Sequence, residues 1–192
     1  MSTGQPFDLQ AALEALDAAL SAPVPASGPV TPESDPATGE WAGTRGEGFR
    51  LLPLWQGPWL TGVYGADWNA AEEQAESHLT DLTAVLDDRW GPHRTVSMRV
   101  PLFRTRTGPD PHPPLPEPFR TLAAMDYFGD LSVWGPLHPP GASDDAPRWL
   151  SLSLNQPDGD APMVLTALVT THPVEELPEL PELPELPDTS AP

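Results

Sequence analysis

With 28 prolines in 192 residues, this chain is constrained above all by where it cannot be regular. Proline lacks a backbone N–H and fixes φ, which keeps it out of helix interiors and central strands. The prolines gather at 23–36, 109–118, 136–147 and 173–192, so regular structure has to lie mainly between those clusters. Residues 47–174 carry most of the aromatic and β-branched side chains. A unit of that size buries roughly two-thirds of the surface its unfolded chain exposes, which suffices for a core. The expected organisation is an amphipathic helix at 1–22, a flexible linker at 23–46, a globular domain at 47–174 and a disordered acidic tail at 175–192.

Hydrophobic spacing fills in the elements. Leu9, Leu13, Leu16 and Leu20 fall at steps of four, three and four, one apolar seam on a helix that Asp8 is placed to cap. Residues 22–46 are rich in Pro, Gly, Ser and Thr and read as linker. Phe49 to Tyr64 read as one or two strands broken at Gly57 and Pro58. Ala71, Ala75, His78, Leu79, Leu82, Val85, Leu86 and Trp90 form a helical stripe that starts at Asp67 or Asn69 and stops at Gly91 and Pro92.

Val96, Met98, Val100 and Leu102 alternate with Ser97, Arg99 and Pro101, which predicts a strand, at a sheet edge because of Pro101. A short helix is expected over 117–125 and a brief strand over 131–134. The alternating leucines Leu150, Leu152 and Leu154, the turn residues 156–160 and the Val, Leu and Thr of 163–171 predict a hairpin. The fold class is then α+β, a mostly antiparallel sheet with one long helix packed on it. In the tail, Glu-Leu-Pro occurs four times from Glu176 to Pro187. A period of three matches polyproline II and would line the glutamates along one edge and the leucines along another.

Charge bounds the partners. A formal net charge of −19 disfavours a phosphate backbone, which is bound by Lys and Arg, and points instead to a protein partner. All nine basic residues are arginine, the usage of a GC-rich, bacterial genome. Five of them, Arg89, Arg94, Arg99, Arg104 and Arg106, fall between 89 and 109 with no acid among them, either a charged strand edge or a site for an acidic peptide. The absence of cysteine excludes disulfides, thiolate metal sites and cysteine nucleophiles. The N-terminal apolar stretch holds Asp8, Glu14 and Asp17, unlike a signal peptide, and no uncharged apolar run reaches membrane-spanning length, so a cytoplasmic location is expected.

No constellation carries catalytic chemistry. His78, His93, His112, His138 and His172 lack zinc-site spacing, and Asp158 and Asp160 flank Gly159 as turn residues. Phosphate loops, nucleophile elbows and metalloprotease signatures are missing, and no cofactor or metal is expected. Of the seven tryptophans, Trp41 falls in the linker and is the candidate for an exposed contact, while the other six are expected in the core. The residues singled out for partner binding are Leu9, Leu13, Leu16, Leu20, Trp41, Arg99, Arg104 and Arg106. The leading expectation is a non-enzymatic acidic binding protein of the immunity, antitoxin, chaperone or adaptor type. A structural component of a bacterial or phage assembly, or an enzyme with an unrecognised site, are the alternatives.

Overall fold

A computed structural model describes residues 4, 6–107, 113–139 and 146–179 of the chain. Those residues form a seven-stranded antiparallel sheet and four helices, an α+β fold. In chain order the elements are α1 (Leu9–Ser21), β1 (Thr31–Ser34), β2 (Trp41–Gly46), β3 (Phe49–Gln56), α2 (Ala66–Trp90), β4 (Arg94–Val96), α3 (Arg99–Thr107), α4 (Phe119–Ala124), β5 (Leu131–Leu137), β6 (Arg148–Asn155) and β7 (Val164–Thr170). The strand order is β1-β2-β3-β7-β6-β5-β4.

Alternation along the strands divides the core into two layers, because successive side chains point to opposite faces. Leu165, Ala167 and Val169 of β7, with Leu150 and Leu152 of β6 and Trp134 of β5, pack with Leu16 and Leu20 of α1 and Ala75, Leu82 and Leu86 of α2. On the other face, Val164 and Leu168 join Phe49, Leu51, Leu131 and Val133 against Met98, Phe119, Leu122, Tyr127 and Val174. Both faces of the sheet are thus covered, where the sequence led us to expect a helix on one. Every residue of the central strand β7 is buried. Its two polar positions are satisfied locally: Thr166 bonds Ser153 Oγ at 3.0 Å and accepts from Asn155 Nδ2 at 3.0 Å, and Thr170 Oγ1 donates to His172 O at 2.7 Å.

The β6–β7 hairpin and the long helix form where the spacing put them. Gly91, at φ 86°, ends α2 in a conformation that glycine alone adopts freely. The N-cap of α2 is Gly65, without a side-chain capping bond, rather than Asp67 or Asn69.

Three local expectations are overturned. The stretch 23–46 is no linker: Val24 is buried, and β1 and β2 pair with each other and, through β2, with β3. Backbone ladders and an Asp35 turn, whose carboxylate accepts from Ala37 N at 2.7 Å and Thr38 N at 3.1 Å, order a segment with little apolar content. The predicted strand over 96–102 ends at Val96. Asp130 takes the Met98 N–H at 2.8 Å, Ser97 Oγ takes that of Arg99 at 3.2 Å, and the chain turns into α3. Pro101 sits in the first turn of that helix, where an N–H has no intrahelical partner to lose. Finally, α1 is not tethered away from the domain. Asp8 caps it as expected, accepting from Ala11 N at 3.0 Å, but the leucine seam is spent on the chain's own sheet and α2. Among the described residues no helix is long and apolar enough to cross a membrane.

Candidate functional site

Beyond β7 the chain leaves Thr170, passes His172 and lays residues 174–179 over the β4–α3 corner without forming helix or strand. Val174 is buried and Leu177 is partly buried, both packed in the second core layer. That spacing of three puts the intervening Glu176 and the following Glu179 on a different edge, toward the arginine-bearing segment. Arg94 Nη2 donates to Val174 O, Ser97 N to Glu176 Oε2 at 3.5 Å, and Arg104 Nη2 to Pro178 O at 3.1 Å. Arg99 Nη1 pairs with Glu179 Oε1.

Two of the three arginines therefore hold main-chain carbonyls, which every peptide offers, and one holds a carboxylate. The energetics separate these contacts. Burying an aliphatic side chain contributes about 1.5–3 kcal/mol, whereas an exposed ion pair contributes about 0–1 kcal/mol. The Arg99 and Glu179 side chains are 78% and 68% exposed, so their pair adds little to what holds the segment in place. Arg104 is only 9% exposed, and its Nε has no hydrogen-bond partner among the described residues. On the same helix Phe103 is 58% exposed.

The candidate residues from the sequence fare unequally. Arg99 and Arg104 stand together at this surface, and exposed Arg106 follows on the same helix. Leu16 and Leu20 are buried, and Leu9 and Leu13 pack partly buried beside them, so the seam is turned mainly onto the chain's own sheet and α2. Trp41 is not an exposed contact either. It lies on β2 with Nε1 donating to Thr44 Oγ1 at 3.0 Å and its ring edge-on to Tyr127 at 6.1 Å. The exposed tryptophan is Trp59, 55% accessible, which the sequence had assigned to the core. His112 and the repeat units after Glu179 lie outside the described residues.

Two other polar clusters lie at the C-terminal end of α2. At the end of α2, Asp87 Oδ1 accepts from His93 N at 2.9 Å, from Trp134 Nε1 at 3.0 Å and lies 3.0 Å from His93 Nδ1. Burial pushes the Asp87 carboxyl up, but the bonds from the His93 ring, the His93 N–H and Trp134 outweigh it and hold the group below its ordinary value. The carboxylate staples the turn after α2 onto β5. A cleft of about 540 Å³ opens nearby, lined by Asp17, Arg89, Trp90, Leu137 and His138 among others. In it Asp17 is occupied by Arg89 at 2.8 Å, and the guanidinium stands 4.8 Å over the Trp90 ring. Neither cluster presents a nucleophile with a base. Among the described residues no three His, Cys, Asp or Glu side chains are grouped to hold a metal ion.

No family model, curated protein or solved structure matches the chain. Sequence reasoning missed Ser97, Arg94 in its carbonyl role, and the anchors Val174 and Leu177. The available signal was the apolar step of three that runs from Val174 into the repeat.

Proposed function

We propose that the chain is a non-enzymatic binding protein that docks a protein partner through the surface formed by Arg94, Ser97, Arg99 and Arg104, and that the docked segment is extended and acidic. The observation that carries this reading is the seating of residues 174–179, themselves acidic, on those four residues. The net charge of −19 does not oppose it at contact range. At physiological ionic strength charges are screened beyond about 8 Å, so an approaching carboxylate meets the arginines of α3 before the remote acids.

The test is fluorescence anisotropy with two labelled hexapeptides added to the full chain, Leu-Pro-Glu-Leu-Pro-Glu and Leu-Pro-Lys-Leu-Pro-Lys. Binding of the acidic peptide in preference to the basic one, weakened by salt and weakened further by Arg99→Glu, is the expected result. Preference for the basic peptide, or indifference to Arg99→Glu, would refute the reading.

A further inference from the structure

We infer that residues 174–179 are an internal placeholder in the partner's site, and that the partner supplies an extended segment of the same pattern that displaces them. This inference rests on the reading above. Its ligand is defined position by position: an apolar side chain at the first and fourth residues, where Val174 and Leu177 enter the core layer, and acids at the third and sixth, where Glu176 and Glu179 meet Ser97 N and Arg99. Main-chain carbonyls at the first and fifth are held by Arg94 and Arg104 and place no demand on sequence.

The chain repeats this pattern in its own sequence. Residues 177–182, 180–185 and 183–188 each have leucine at the first and fourth positions, proline at the fifth and an acid at the third and sixth. The spacing of apolar and acidic positions that seats residues 174–179 thus recurs in three further frames of the sequence.

Occupancy from within explains how such a site stays shut until a partner arrives. A segment joined to the domain is present at an effective concentration in the millimolar range, so a free peptide must beat that competitor. The placeholder is also an incomplete ligand. Among the described residues it meets the Arg104 guanidinium through one Nη and leaves the buried Nε without an acceptor. A buried donor on a charged group that lacks an acceptor carries its full desolvation penalty, so a partner that brings a carboxylate to the fork gains over the strap.

The experiment compares the wild-type full chain with Leu177→Asp/Glu179→Arg, using labelled Leu-Pro-Glu-Leu-Pro-Glu as the probe. The released variant should bind the probe more tightly, by about ten-fold or more, because a seated strap lowers apparent affinity by the fraction of time it leaves the site open. Adding Arg99→Glu to the released variant should abolish the gain. Glu176→Arg/Glu179→Arg, confined to exposed side chains, is the second variant in case the first misfolds, and should tighten binding in the same direction. Equal affinity in wild type and variants, still dependent on Arg99, overturns the placeholder while leaving the docking surface intact. No binding by any of them overturns both. Sedimentation of the released variant as dimers would overturn the separate partner in favour of tail exchange between copies.

Discussion

Gly129 stands where the α4–β5 connection crosses β6, and a Cβ built there would lie 2.0 Å from the Leu154 carbonyl oxygen. Its own N–H is held by Asn155 Oδ1 at 3.0 Å, so the backbone cannot retreat without losing that bond. Gly129→Ala should therefore destabilise by at least about 2 kcal/mol, read as a lower urea midpoint, an overpacking cost without burial gain. His78 gives a pH-dependent case. Its ring stacks on Phe7 at 4.4 Å and meets Trp55 edge-on at 4.9 Å, and its Nε2 is buried with no hydrogen-bond partner among the described residues. Burial lowers its pKa, and the charge of Asp81, one turn along, only partly opposes this. A histidine held below its ordinary 6.5 is neutral in the fold, so stability is complete above that value and is lost as pH falls through it toward the folded value. The stability difference between about pH 7.5 and about pH 5.5 should shrink in His78→Phe, as measured by urea melts at the two values. An unchanged difference would mean that other groups carry it. Asp87 acts in the same direction at lower pH, since its depressed carboxyl stabilises the fold above 3.8 and ceases to as pH drops below.

At the scale of elements, α1 is the sharpest departure from what composition alone suggested. Leu16 is completely buried between the sheet and α2, and Leu20 nearly so. Leu16→Ala should cost about 2–5 kcal/mol, visible as a drop in the melting temperature of the whole chain. A free tether would show no change. The 96–102 segment teaches the complementary lesson. Its alternation is compatible with a strand, yet Asp130, distant in sequence, takes the Met98 N–H, and the Leu102 N–H closes a helical turn onto Met98 O at 3.0 Å. A period of two over seven residues cannot be told from the start of a helix when a tertiary acceptor decides between them.

For the molecule as a whole, the strap joins the C-terminal segment to the second core layer. Because Val174 and Leu177 anchor it by burial and only Arg99–Glu179 and Ser97–Glu176 involve an acid, salt should loosen its acidic edge without releasing it. Fluorescence transfer between a label on residue 179 and one on α3 should remain higher than in a released variant even at about 1 M salt, where charges are screened beyond about 3 Å. Loss of transfer at that salt to the level of the released variant would assign the docking to charge alone.

Much of this architecture was legible in the residues themselves. The seam of α1, the stripe of α2 with its Gly91 stop, the β6–β7 hairpin and the arginine run all follow from spacing and charge that no tertiary contact has to supply. What the tertiary structure decided was every pairing between distant segments. It made edge strands of a Pro- and Gly-rich stretch, because ladder hydrogen bonds order a backbone whatever its side chains. It spent the leucine seam internally, since an amphipathic face is buried against whichever apolar surface lies within reach. And it seated Val174 to Glu179 on Arg94, Ser97, Arg99 and Arg104, an approach that opposite charge in the two segments predicts, through buried side chains and main-chain carbonyls that charge does not announce.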